Sequence, residues 1–218
     1  MKGTEVVRDL NLKYDDNKSV MMNLYNFAII FLDKTDKDDK LKTRIVQHTL
    51  RTMKIADKIL KKELADRSIV MISLLLHDIS KTITESRHDL VSYDIAQVFL
   101  SYTPIEESKQ KRILDCILYH SAKSIKSLDL TIEQQVVMDA DILDEIGMLT
   151  VVKYCLKVNR NKDIQDIIKH LDELLHKIEK ESDHVHTKYG KELYAQKKNK
   201  YRDLLELLKL ESAMFKIK

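Results

Sequence analysis

Four side chains combine chemistry with an unusual setting. His77 and Asp78 follow directly on Ile72-Ser73-Leu74-Leu75-Leu76, in the most apolar stretch of the chain. His48 and Asp141 stand on either side of it in helical segments of their own. An ionised carboxylate in an apolar stretch is costly to bury unless it is paired or bound to a metal. A lone His-Asp pair is more often a satisfied structural pair near a helix end. Two imidazoles and two carboxylates on neighbouring helices have a further use, because they could close around one divalent ion with water in its remaining positions. That donor set suits Mn²⁺, Fe²⁺, Co²⁺, Ni²⁺ or Zn²⁺; Mn²⁺ is the first expectation and Mg²⁺ is admissible.

The flanking residues extend the pattern. His48-Thr49-Leu50-Arg51, Leu75-Leu76-His77-Asp78-Ile79-Ser80-Lys81 and Asp139-Ala140-Asp141-Ile142-Leu143-Asp144-Glu145-Ile146-Gly147 together resemble the H…HD…D signature of the HD superfamily. Arg87-His88 with Ser92, and His120-Ser121, are similar to further positions of a bacterial subgroup of stand-alone HD hydrolases. His176, Lys177, Thr187, Gly190 and Arg202 are similar to that subgroup's helical C-terminus. The resemblance spans residues 41–210; residues 1–40 match less clearly. It implies an all-α metal-dependent phosphohydrolase with His48, His77, Asp78 and Asp141 as ligands. Some of the subgroup are nucleotide pyrophosphohydrolases, so a nucleoside triphosphate is the first substrate expected. A phosphomonoesterase, a cyclic-nucleotide phosphodiesterase or a dinucleoside polyphosphate hydrolase is the alternative. A non-catalytic nucleotide sensor on the same scaffold is the alternative of another class.

The roles follow from charge and spacing. A divalent ion would lower the pKa of a coordinated water toward ~7 and offset charge on phosphoryl oxygens. Arg51 shares a helix face with His48 and could clamp a phosphate in bidentate fashion. Lys81 could reach the same phosphate, or be a solvated cation at a helix end. Asp144, one turn after Asp141, could orient a ligand histidine or Arg51, or join the substrate pocket. His88 and His120 could be structural, could ligate a second ion or could serve the substrate. The subgroup that the chain resembles works with one ion, so the resemblance implies one here, with His88, His120 and Ser92 lining the substrate side and His120 as the general acid. Ser92 and Ser121 offer hydroxyls for a phosphate cradle. His184 and His186 diverge by about 200° on a helix, so a solvated loop is expected there.

These residues need helices to carry them. Only three glycines and one proline occur in 218 residues, too few for a hairpin-rich fold. Apolar periodicity predicts helices over 19–32, 41–62, 67–80 and 88–101, the third buried on all sides. Thr103-Pro104-Ile105-Glu106 reads as a capping box for a helix over 105–120, and Thr131-Ile132-Glu133-Gln134 as another, continuing through 139–158 with a bend near Gly147. Two long charged helices fill 163–210, separated by Asp183–Gly190, with Tyr189, Tyr194 and Tyr201 packed inward. The expected organisation is an N-terminal helix and charged loop (1–40), a metal-binding bundle (41–158) and a helical extension packed on it (159–218).

Hydrophobic residues at 44% and charged residues at 33% describe a globular chain, not a disordered one. A net charge of +3 is too near balance to point to nucleic acid. The expected partner is a small phosphate or nucleotide, with a homo-oligomer admissible. Cys116 and Cys155 form no CxxC motif and are expected in the core, in a reducing cytoplasm. No apolar run is long enough to span a bilayer.

Overall fold

The structure is a computed structural model that describes residues 3–36, 39–122, 129–157 and 163–214; Lys37 and Asp38 of the expected charged loop lie outside them. It is all-α, with no strand among the described residues. The helices are α1 (Gly3–Arg8), α2 (Val20–Thr35), α3 (Lys40–Ile59), α4 (Arg67–Leu76), α5 (His88–Ser101), α6 (Glu107–Tyr119), α7 (Ile132–Glu145), α8 (Met148–Lys157), α9 (Ile164–Glu181) and α10 (Lys188–Met214). Short 3-10 turns occupy Ile79–Thr82 and Ser182–His184.

Local chemistry starts several of these helices. Ser19 caps α2 by accepting from the Met22 N–H, and Asp66 caps α4 by accepting from Ser68 and Ile69. Thr131 and Gln134 complete a reciprocal capping box on α7. Every residue of α4 from Ile69 to Leu76 is buried, as its all-round apolarity requires. It sits in the middle of the bundle, against α2, α3, α6 and α7, while α3 also packs on α7 and α5 on α6. The α9–α10 pair packs on the bundle through α7. Buried apolar residues from Val6 to Leu205 form one continuous cluster, so all three expected segments share a core.

Several expectations change in detail. Helix α4 stops at Leu76, and past His77 and Asp78 the chain enters a 3-10 turn at Ile79–Thr82 in place of a further helical turn. Thr103 caps no helix: its hydroxyl donates to the Leu100 carbonyl at the end of α5, and α6 starts at Glu107 with no side-chain cap. The bend at Gly147 is a full break, with φ +118° at the glycine. Beyond it, α8 lies at the edge of the bundle. Val151 is its buried residue, and Cys155 is exposed, contrary to expectation, while Cys116 is buried. Met22 and Tyr25 of α2 are exposed at the mouth of an apolar cavity of about 300 Å³ between α2 and α3.

Candidate metal centre

Three elements bring the expected quartet together. His48 comes from the middle of α3, His77 and Asp78 from the end of α4, and Asp141 from α7. Asp78 adopts φ −109°, ψ 10°, a sparsely populated backbone region common at active sites. His48 Nε2 lies 3.1 Å from Asp141 Oδ1, 3.2 Å from His77 Nε2 and 3.4 Å from Asp78 Oδ2. His77 Nε2 is 3.5 Å from Asp78 Oδ2 and 3.9 Å from Asp141 Oδ1. His48 Nε2 thus lies within 3.4 Å of one potential ligand atom from each of the other three residues, and His48, His77 and Asp78 form a group that could hold a metal ion, with Asp141 beside His48.

A second group shares Asp78. Its Oδ1 lies 3.5 Å from His88 Nε2 and 3.6 Å from His120 Nε2, and the two imidazole nitrogens are 3.1 Å apart. His88 opens α5 and His120 follows the end of α6. Ser92 does not line the cleft, contrary to expectation. It is fully buried; its hydroxyl accepts from the Ser80 N–H and donates to Ser80 Oγ, which in turn donates to the His88 carbonyl. Ser92 therefore ties the 3-10 turn to the first turn of α5.

The hydrogen bonds behind the histidines fix their tautomers. His77 Nδ1 donates to the Leu74 carbonyl, His88 Nδ1 to Glu85 and His120 Nδ1 to Ile117. A carbonyl can only accept, so each Nδ1 carries the hydrogen. His48 Nδ1 donates to Asp144 Oδ2 at 2.8 Å. In the neutral ring every Nε2 is then a bare lone pair, and these lone pairs face one another in close pairs. Two lone pairs at about 3 Å repel unless a proton or a cation stands between them. Asp78 Oδ1, buried and without a hydrogen-bond partner, faces the second pair. The donor set and the orphaned oxygen fit a cation.

Asp144 stands behind this arrangement. Its two oxygens accept from Arg51 Nε at 2.7 Å and Nη2 at 2.8 Å, besides His48. It is buried at the wall of the cleft, as expected, and both of its oxygens are engaged, so it orients Arg51 and His48 from there. Lys81 Nζ donates to Asp78 Oδ2 at 2.6 Å.

The charges are mutually dependent. Burial opposes protonation of His48, but Asp141 and Asp144 outweigh it and raise its pKa to about 9. Burial lowers His77 to about 4 against the pull of Asp78. Burial would raise Asp78, yet His77, His120 and Lys81 hold it well below the usual carboxylate range. Asp141 is likewise lowered, by His48, against its own burial. Asp144 is held at about 2 by His48 and Arg51 despite burial.

The cleft outside the quartet measures about 600 Å³ and is lined by Arg51, Lys81 and Asp144, as expected, and by Arg44, Gln47 and Lys153, which sequence reasoning missed; His88 and His120, expected to line it, stand behind Asp78 instead. Arg44 had a local signal, one turn before His48 on the same face. Lys153 had none, because its approach depends on the break at Gly147. The His184–His186 loop is not fully solvated: Val185 is buried and the His186 N–H donates to Asp139 at 2.7 Å.

The fold has counterparts among known proteins. The HD domain model matches residues 45–146. An HD-superfamily hydrolase from Bacillus thuringiensis superposes with a TM-score of 0.65 at 21% identity, covering 88% of this chain and 96% of that one. A predicted HD-superfamily hydrolase from an uncultured Thermotogales bacterium gives 0.61 at 18%, covering 99% of each chain. Bacillus subtilis YpgQ in complex with ADP gives 0.58 at 21%, covering 88% and 97%. At these identities the likeness is one of fold. No curated protein matches the chain.

Proposed function

From the match of the HD domain model to residues 45–146, we propose that the protein is an HD-domain, metal-dependent phosphohydrolase acting on a nucleotide, with a nucleoside triphosphate the first substrate to test. The observation that carries the reading is the convergence of His48 Nε2, His77 Nε2, Asp78 Oδ2 and Asp141 Oδ1, each histidine held by a hydrogen bond to its far nitrogen. The ADP bound to the similar YpgQ supports a nucleotide over other phosphate esters.

A divalent ion held by these four residues, Mn²⁺ first, would acidify a coordinated water and offset phosphoryl charge. The chain's own groups do the rest. Asp144 fixes Arg51 through Nε and Nη2, leaving Nη1 for a phosphoryl oxygen at the cleft wall. Lys81, one turn after Asp78, is free to exchange its carboxylate for phosphate once a cation balances Asp78. His120, its Nδ1–H held by the Ile117 carbonyl, would protonate a leaving group from Nε2 as the imidazolium, the form that the neighbouring Asp78 favours.

The orphaned Asp78 Oδ1 favours a second reading of His88 and His120, as ligands of a second ion with Asp78 as the bridge. Metal analysis of wild type, His88→Ala and His120→Ala separates the two. One equivalent, unchanged in both variants, supports the substrate-facing role; two, falling to one in each, establishes the second site. The overall function is tested by phosphate and pyrophosphate release from a nucleotide panel with added Mn²⁺. Tight nucleotide binding without turnover would instead identify a sensor, and neither binding nor metal would sink the proposal.

A further inference from the structure

The cleft beyond the metal ligands is ordered along its length. On α3, positions 41, 44 and 48 share one face. With a rise of 1.5 Å per residue, Arg44 sits about 6 Å and Leu41 about 10 Å from His48 along the axis. On the opposite side α8 departs from the end of α7, where Asp144 lies, and carries Lys153 and then Leu156 to the cleft. From the quartet outward α3 therefore presents a cation and then a leucine, and α8 lines the same cleft with a lysine and a leucine three residues apart. Lys81 and Arg51 are paired with Asp78 and Asp144. Arg44 and Lys153 have no ion pair among the described residues, and Glu145 is the carboxylate on their side of the cleft. Leu156 is 81% exposed, a large apolar side chain left open to water at the outer end.

We propose that Arg44 and Lys153 form a distal clamp for a second phosphoryl group, and that Leu41 and Leu156 receive the apolar ring attached to it. The site then selects a phosphoanhydride esterified to a nucleoside, such as a nucleoside diphosphate or triphosphate, over a phosphate monoester. The inference rests on the reading of this cleft as a phosphate-ester site. It assigns specificity to α8, an element outside the residues matched by the family model.

The test is calorimetric binding to the full-length protein, with Mn²⁺ and again with chelator. The ligands are adenosine 5′-(α,β-methylene)diphosphate, AMP and methylenebisphosphonate. Wild type should bind the nucleoside diphosphate analogue at least roughly tenfold more tightly than AMP, the value of one charge-assisted hydrogen bond. Arg44→Gln and Lys153→Gln should each remove most of that preference while weakening AMP by no more than about twofold, and Arg44→Lys should restore part of it. Leu156→Ser should weaken the nucleotide analogue and not methylenebisphosphonate. The clamp is overturned if wild type shows no preference for the diphosphate, or if the Gln variants weaken both nucleotides equally. The pad is overturned if Leu156→Ser weakens methylenebisphosphonate as much. Preference without turnover of any nucleotide would remove the hydrolase reading and leave the clamp; turnover with no preference would do the reverse.

Discussion

Asp78 is the residue on which both groups of ligands depend, one oxygen facing His48 and His77 and the other facing His88 and His120. Asp78→Ala should therefore empty the whole centre of metal and abolish hydrolysis, with helical content by circular dichroism unchanged. Undiminished turnover with Mn²⁺ would contradict its role. Asp144 acts one step back, through His48 Nδ1 and the Arg51 fork. Asp144→Asn should weaken metal binding by ~10–100-fold, the usual range for a residue that orients a ligand. Competition with a chelating dye measures it, and an unchanged affinity would make Asp144 a partner of Arg51 alone. At this scale much was legible: polar residues in an apolar helix mark themselves, and helical spacing pairs His48 with Arg51 and Asp141 with Asp144. The sequence left three uses open to His88 and His120, and their approach to Asp78 Oδ1 was not singled out among them, because it depends on where α5 begins and α6 ends in space.

The helices that carry these residues are held by caps that differ in how well spacing announces them. Asp66 accepts from the Ser68 and Ile69 N–H groups and lies 3.0 Å from Lys109, while its own N–H donates to Glu133 of α7. It thus fixes the start of the helix that ends at His77. Burial would raise its pKa, but Ser68 and Lys109 prevail and lower it to about 2. A folded value below the ordinary 3.8 means that Asp66 stabilises the fold at pH above about 4 and loses that contribution as pH falls through 2. Asp66→Ala should cost ~1 kcal/mol at neutral pH, a typical cap value. In urea titrations the gap between wild type and variant should narrow steadily from pH 4 to pH 2; a constant gap would remove the charge from the account. Two capping boxes were readable in the sequence, and one formed. At Thr131 the Gln134 amide oxygen accepts from the Thr131 N–H at 2.8 Å. At Thr103 the hydroxyl is taken by the Leu100 carbonyl of the helix before it, so the same string of residue types closes one helix instead of opening the next.

At the scale of the molecule, the C-terminal helices are joined to the bundle at the helix that supplies Asp141 and Asp144. Asp139 accepts from the His186 N–H, the Thr187 N–H and the Thr187 hydroxyl, at 2.6–2.8 Å. Lys197 of α10 donates to the Leu143 and Ile146 carbonyls, which closes the end of α7. None of this was legible from spacing, since residues 139 and 187 meet only once α9 and α10 have folded back; Asp139 carries no local mark that separates it from a ligand. Gly190 makes the contact possible. A Cβ there would fall within 2.6 Å of Thr187 Oγ1 and collide with the Asp139 carboxylate. Neither group can retreat, because Asp139 is buried and holds three donors and the Thr187 hydroxyl also receives the Gly190 N–H. Gly190→Ala should therefore destabilise the protein by about 1–3 kcal/mol, as overpacking does, although alanine favours a helix over glycine. For a chain of this length that is a fall in melting temperature of roughly 2–4 °C per kcal/mol. Because the displaced carboxylate lies one residue from Ala140 and two from Asp141, metal affinity should fall along with stability. Leu207→Ala, a truncation at an exposed position of the same helix, supplies the contrast. It should leave metal affinity alone, and a Gly190→Ala protein with wild-type melting and metal binding would mean that α10 rests on α7 without holding it.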